Sequence, residues 1–278
     1  MNALFKIVLN TFLFSLLLGC NQNTKTEDAA EKERKTIEMI TDYGTMKIEL
    51  YDETPLHRDN FINLAKHKAY DSVLFHRIIK DFMIQAGDPD SKKAKENDSL
   101  GEGDVPYKVA AEFNTNLFHK KGVLAAARDD NPEKASSGMQ FYIVKGKVFN
   151  DSTLLNAEKR INQFNAKSFF EDSNSEKSLL DSLRYATETR NLDRYNFFID
   201  SLLQLAKMEK GFETYTIPKD QRTAYKTIGG TPHLDQNYTV FGEVVQGIEV
   251  LDSIVNVQTG DLDRPVTDLR IRTIRVLE

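Results

Sequence analysis

The sequence holds one cysteine, Cys20, in 278 residues, which excludes an internal disulfide. Its five histidines, at 57, 67, 76, 119 and 233, form no i, i+4 pair and have no cysteine beside them. A zinc site therefore lacks a ligand set, and no metal is expected. No G-x-S-x-G elbow and no G-x-x-x-x-G-K-[ST] phosphate loop occurs, so neither a strained nucleophile nor a nucleotide cofactor is indicated. The glycine pair in "GEG", residues 101 to 103, stands alone in a polar stretch and is loop. A basic excess is missing as well: the net charge is -5 and the lysines are scattered. Phosphate backbones require a cationic stripe, so nucleic acid is not an expected partner. What is present is 40% apolar and 28% charged residues, enough for one large globular domain or two small ones.

The N-terminus, "MNALFKIVLNTFLFSLLLGC", carries one positive charge at Lys6, an apolar stretch from Ile7 to Leu18, and Gly19 before Cys20. That is the anatomy of an export signal. The stretch is shorter than the roughly 20 apolar residues that span a bilayer. "LLGC" resembles the lipobox of bacterial lipoproteins, which implies cleavage before Cys20 and lipidation of its thiol. The expectation is a signal peptide over 1–19 and a polar, solvated tether over 20–35. Two or more acyl chains on Cys20 would hold the protein stably on a membrane of the cell envelope, at the periplasmic face or the cell surface.

From residue 36 the pattern changes. "TIEMI" and "TMKIELY" alternate with period two around "TDYG", which predicts a hairpin with one buried face. In "TPLHRDNFINLAKHKAY", Thr54 as N-cap, Pro55 at the first helical position and Phe61, Leu64 and Ala65 at i, i+3, i+4 predict a helix. "SVLFHRII", "DFMIQAG", "KGVLAAAR" and "MQFYIV" read as short strands, with polar loop over 91–107 and a turn in "DDNPEKASSG". Helical spacing then takes over from Ser152 to Lys226, with Leu179, Leu180 and Leu183 on one face and Tyr195, Phe198, Leu202 and Leu205 on another. β character returns in "NYTVFGEVV", followed by a short helix in "GIEVLDSI" and a last strand in "DLRIRTIRVLE". A β-rich body over 36–278 is thus interrupted by a helical insertion at 147–226.

One stretch, "YDSVLFHRIIKDFMIQAGDPD" (70–90), places a guanidinium among Phe75, Ile78, Ile79, Phe82 and Met83. Burying such a charge is costly unless something hydrogen-bonds to it, so Arg77 needs a partner or a task. "LFHRIIKDFMIQAGDP" resembles the signature of the cyclophilins, the peptidyl-prolyl cis/trans isomerases. "GVLAAAR", "MQFYIV" and "HLDQNYTVFGEVVQGIEVLDSI" are similar to further family segments in the same order. The resemblance covers about residues 36–146 and 227–278. It implies a mainly β fold, a closed eight-stranded antiparallel barrel capped by two helices, here with a helical insertion.

The resemblance also implies a catalytic set of Arg77, Phe82 and Gln85, with Arg77 as hydrogen-bond donor. Phe82 and Met83 would form the proline pocket and Gln85 would orient the substrate backbone. Ala127 and Arg128 would lie along that backbone as beside an added strand. Gln140 and Tyr142 would form the next wall, Tyr142 replacing the usual phenylalanine. Leu234 matches a pocket residue, Tyr238 stands where animal members often have histidine, and His233 occupies the place of the tryptophan that contacts cyclosporin. His76, next to Arg77, should face the other side of the strand and be structural.

The implied partners are proline-containing unfolded or flexible polypeptides, with no cofactor. Two other uses fit the same residues: a module that grips proline segments without accelerating rotation, and a holdase or scaffold whose working surface is the insertion. Retention of Arg77 with the Phe82/Met83 pair favours the isomerase, because a binder could dispense with the arginine.

Overall fold

The computed structural model describes residues 34–96 and 98–277. The leader, Cys20 and all but the last two residues of the tether lie outside them. In β1 (Thr36–Thr41) Ile37, Met39 and Thr41 are buried, and in β2 (Gly44–Leu50) Met46, Ile48 and Leu50, with more exposed residues between. Period-two alternation puts one face of each strand on the core. Gly44, at φ 133°, opens β2 in a conformation that a side chain would strain.

Helix α1 (Pro55–Lys66) buries His57, Phe61, Leu64 and Ala65. Thr54 stands at the N-cap position, as the sequence suggests, but its side chain makes no capping bond. Instead the free amides of Leu56 and His57 donate to the two carboxylate oxygens of Glu112, each at 3.0 Å. A carboxylate from a distant segment satisfies the helix end and complements its dipole.

Next come β3 (Phe75–Ile79), β4 (Met83–Ala86), β5 (Lys108–Val109), β6 (Val123–Ala126), β7 (Ser136–Ser137) and β8 (Phe141–Val144). Four helices follow, α2 (Asp151–Asp172), α3 (Lys177–Glu188), α4 (Leu192–Ala206) and α5 (Lys219–Thr227). The chain ends in β9 (Val240–Gln246), α6 (Ile248–Ile254) and β10 (Ile271–Leu277). Eight strands form one antiparallel sheet in the order β10-β1-β2-β9-β6-β8-β4-β3, and β5 pairs with β7 apart from it.

The closed barrel implied by the resemblance is corrected to an open, curled sheet. No ladder joins the edge strands β3 and β10; they approach at the isolated bridge Leu74–Arg270 and in bonds such as Phe75 N–H to Leu269 O, 2.9 Å. β10 begins pairing with β1 only at Ile271, and residues 266–267 just before it run as bends. Too few extended residues are left to build a closing ladder.

The main core fills the inside of the curl. Ile37, Ile48, Ile84, Leu124, Phe141 and Ile143 from the sheet meet Phe61 and Leu64 of α1 and Leu251 and Ile254 of α6. Phe61, Tyr70 and Phe141 add stacked and edge-on ring contacts at 4.7 to 5.6 Å.

The helices between β8 and β9 have two cores. Leu154 and Ala157 of α2, Ile217, and Tyr225 of α5 pack on Phe118 and Phe149. The far half is a bundle of its own, in which Ala166 and Phe170 meet Leu183, Ile199, Leu202 and Leu203. Asn150 and Thr153 form a reciprocal capping box that starts α2. Glu158 fastens α2 to the segment that leads into α5: it accepts from the Ile217 amide at 2.9 Å and from Arg222 of α5 at 2.6 Å. Both ends of this helical segment leave the sheet at one point, where Lys147 and Gly230 form a bridge. A Cβ on Gly146 would come within 2.3 Å of the Gly230 backbone, so the crossing requires glycine.

Candidate active site

Register builds the site. Arg77 on β3 pairs with Gln85 on β4, Gln85 with Tyr142 on β8, and Tyr142 with Ala125 on β6. Residues directly opposite one another share a face, so Arg77, Gln85 and Tyr142 form a row across three strands. Met83, two residues from Gln85, lies on the same face and pairs with Val144. Their neighbours Ile84, Ala86, Phe141 and Ile143 point the other way into the main core. The outward face forms a second apolar cluster, in which Met83, Tyr142, Val144 and Val240 meet Phe82, Leu234 and Tyr238. Sequence-expected pocket residues from three separate segments thus come together.

Phe82 sits in the β3–β4 turn, partly exposed, with its carbonyl held by the amides of Lys145 and Gly146. Its ring stacks on His233 at 5.7 Å between centroids. Burial pushes the His233 imidazole down to about 4, so it is neutral at pH 7 and serves as an aromatic wall. Tyr238 meets Tyr142 edge-on at 6.0 Å and carries the Arg128 guanidinium over its face at 4.9 Å.

The hydroxyl that Tyr142 adds finds a partner. It donates to His119 Nε2 at 3.0 Å, while His119 Nδ1 donates to Asp235 Oδ1 at 2.8 Å. The other Asp235 oxygen accepts from Tyr225 of α5 at 2.6 Å. This chain satisfies every polar atom it uses in a fully buried place. Burial also lifts the Tyr142 phenol well above its ordinary value, so it stays protonated.

Gln85 donates through Nε2 to Gln140 Oε1 at 3.0 Å, and Gln140 in turn donates to the carbonyls of Gly101 and Gly103 at 2.9 and 2.7 Å. Gln140 is a buried brace that orients Gln85 and ties down the 101–103 loop. Behind it a cavity of about 510 Å³ is lined by Gln85, Tyr107, Ala127, Arg128 and Gln140.

Ala127 differs from its expected use. Its own amide and carbonyl are already engaged, with Gln140 O at 3.0 Å and the Ser137 amide at 2.8 Å. Unpaired backbone lies one residue on: neither backbone group of Arg128 has a partner among the described residues.

Arg77 is half exposed, and its side chain makes no hydrogen bond among the described residues. The nearest acid is Asp263, whose Oδ2 lies 3.5 Å from Nε. Asp263 belongs to a turn in which it and Leu262 both take left-handed backbone, φ 61° and 56°. The sequence gives no periodic signal for this contact; only "GDLDRP" marks a turn. His119, Asp235 and Asn237 were equally silent, since their partners lie on distant strands and helices. His76 is buried at 4% exposure, its ring beside Gly101. Among the described residues no group of histidine, cysteine and acidic side chains is arranged to hold a metal.

The fold and this row define the class. A family model for cyclophilin type peptidyl-prolyl cis-trans isomerases matches residues 36–159 and 184–276. The chain belongs to the cyclophilin-type peptidyl-prolyl cis-trans isomerase family.

Among similar proteins, a peptidyl-prolyl cis-trans isomerase of Staphylococcus aureus is 30% identical over 86% of this chain and 90% of its own length. A bifunctional phosphatase/peptidyl-prolyl cis-trans isomerase of Streptococcus pyogenes is 31% identical over 86% of this chain, which spans only 38% of that relative. The crystal structure of a cyclophilin type isomerase from Cryptosporidium parvum superposes with a TM-score of 0.50 at 18% identity, covering 88% of this chain and 98% of its own. That likeness is one of fold.

Proposed function

We propose that this cyclophilin-type isomerase accelerates rotation about X-Pro bonds of unfolded or flexible polypeptides with Arg77 as the donor. Rotation must break amide resonance behind a barrier of roughly 18–20 kcal/mol, yet no bond to carbon is made or broken. The task is to hold the proline ring and to favour the twisted amide. As the amide twists, the prolyl nitrogen becomes pyramidal and gains a lone pair. A guanidinium hydrogen bond to that lone pair strengthens only in the transition state, which is the condition for raising the rate.

The reading is supported above all by the row Arg77–Gln85–Tyr142, which sets the donor two strands from the pocket wall with Met83 beside it. Met83, Phe82, Leu234 and Tyr142 would take the proline ring, with His233 and Tyr238 as flanking walls. Gln85, braced by Gln140, would hold the substrate backbone. Arg128 offers the free backbone beside which an extended peptide would lie. None of these steps calls for a cofactor.

The same proposal places the protein on a membrane surface of the cell envelope, anchored through Cys20, acting on exported chains as they fold. Its support is the pattern of Lys6, the apolar stretch and "LLGC". Among the described residues no helix is long and apolar enough to cross a membrane.

The test is the cis/trans exchange rate of a short Ala-Pro peptide by NMR exchange spectroscopy, with the chain starting after Cys20 and its Arg77→Ala variant. Acceleration that drops tenfold or more in the variant supports the donor role, a loss of about 1.4 kcal/mol or more of transition-state stabilisation. Binding without acceleration by the intact chain would sink the isomerase reading in favour of a proline-binding module.

A further inference from the structure

We propose that the groove between the helical segment and the 128–134 loop is a second binding site for the client chain, receiving acidic residues that flank the proline. The inference rests on the isomerase reading and extends it. The groove has a volume of about 590 Å³. Phe164, Phe170, Leu180 and Leu183, from α2 and α3, give it an apolar side, and the loop after β6 contributes Arg128, Asn131 and Lys134.

Continuity argues for a polypeptide occupant. Arg128 lines both this groove and the cavity that contains Gln85 and Gln140. Its unpaired backbone amide and carbonyl lie between the two, so a chain extended past the proline pocket is handed from one to the other. The free backbone suits β-like pairing at Arg128, followed by side-chain contacts beyond it.

Charge argues for acidic residues. The Arg128 guanidinium bonds only to carbonyl oxygens, Asn237 O at 2.8 Å and Asp129 O at 2.9 Å. The Lys134 ammonium meets the Asn237 amide oxygen at 3.0 Å and lies 5.9 Å from the Phe113 ring centroid. Lys177 has no partner among the described residues. The acids of the wall are otherwise committed: Glu171 pairs with Lys167 at 2.8 Å, and Asp181 pairs with Arg184 on its own helix. Asp130 is the one lining acid left unpaired among the described residues. Three cations with no carboxylate in ion-pair contact among the described residues thus face a groove that offers one unpaired acid. Burial, and then the Arg128 charge, lower the Lys134 ammonium from its ordinary value, against the weaker opposing pull of Asp172 and Glu171. A carboxylate brought by a ligand would relieve that repulsion and complement the groove.

The experiment compares three Ala-Pro peptides: a short one, a twelve-residue one with glutamates on both sides of the proline, and the same length with lysines. Exchange kinetics and fluorescence anisotropy are read with the chain starting after Cys20 and with its Lys134→Glu/Lys177→Glu variant. The intact chain should show a KM at least fivefold lower for the acidic peptide than for the short one, at similar kcat. The variant should lose that advantage, turn over the short peptide as before, and now favour the lysine peptide. A merely structural role for the two lysines would not reverse the charge preference. Equal KM and equal anisotropy for all three peptides on the intact chain would overturn the groove. An intact chain that accelerates no peptide but binds the acidic one with the same charge reversal would overturn the isomerase reading and leave the groove standing.

Discussion

His76 should make the fold sensitive to mild acid. It is 4% exposed, neither ring nitrogen has a protein partner, and burial pulls its imidazole from 6.5 down to about 4, against the opposing pull of Asp88. An unfolded histidine takes its proton near pH 6.5; the folded one resists until about 4. Between those values the unfolded state binds the extra proton, so stability is full above pH 6.5 and falls as the pH approaches 4. A gap of about 2.5 units corresponds to at most about 3.4 kcal/mol, and at pH 5, where the gap is only partly traversed, to about 2 kcal/mol. His76→Leu removes the group.

Urea unfolding followed by circular dichroism at pH 7 and pH 5 gives the stability change for each protein. Wild type should lose about 2 kcal/mol more than the variant over that interval. His233, also held near 4, acts with the same sign in both proteins and drops out of the comparison. Equal losses in the two proteins would refute the assignment of the acid sensitivity to His76.

Asp263→Asn should lower kcat/KM on the short peptide by up to about fivefold at low salt, the scale of a half-exposed ion pair of at most about 1 kcal/mol. The effect should shrink at high salt and vanish in an Arg77→Ala background, since the carboxylate acts through that guanidinium. Tyr142→Phe leaves His119 Nε2 buried without its donor and should cost about 1–3 kcal/mol in urea unfolding, while short-peptide turnover is kept. Glu158→Ala strips partners from both the Ile217 amide and Arg222, and should lower stability by about 2 kcal/mol, read as a shift in unfolding midpoint.

Much of the sheet was legible because its information is local. Period two in β1 and β2 marks their buried faces, and Tyr195, Phe198, Leu202 and Leu205 do lie on one side of α4, against the far helical core. The row of the candidate site was legible through resemblance, since "FHR" and "FMIQ" flank one tight turn whose register aligns Arg77 with Gln85. Contacts between remote segments were not. Asp263 reaches Arg77 from a turn near the end of the chain, and Glu112 caps α1 from beyond β5; neither leaves a periodic trace in its own neighbourhood. The failure of the sheet to close was equally hidden, because it depends on where β10 starts pairing with β1. Ala127 was assigned by alignment of motifs, but which residue keeps free backbone depends on the Gln140 and Ser137 bonds, which no motif encodes.

The alternation in β4 and β8 has a practical consequence. Gln85 and Met83 face the pocket because Ile84 and Ala86 face the core, so a slip of one residue would exchange the two sets. A molecule with a spoiled site would also have glutamine in its interior and isoleucine in water, and would not persist. Catalytic competence and correct folding are therefore written on one ruler. Turnover per milligram of this protein should then follow the folded fraction of a preparation.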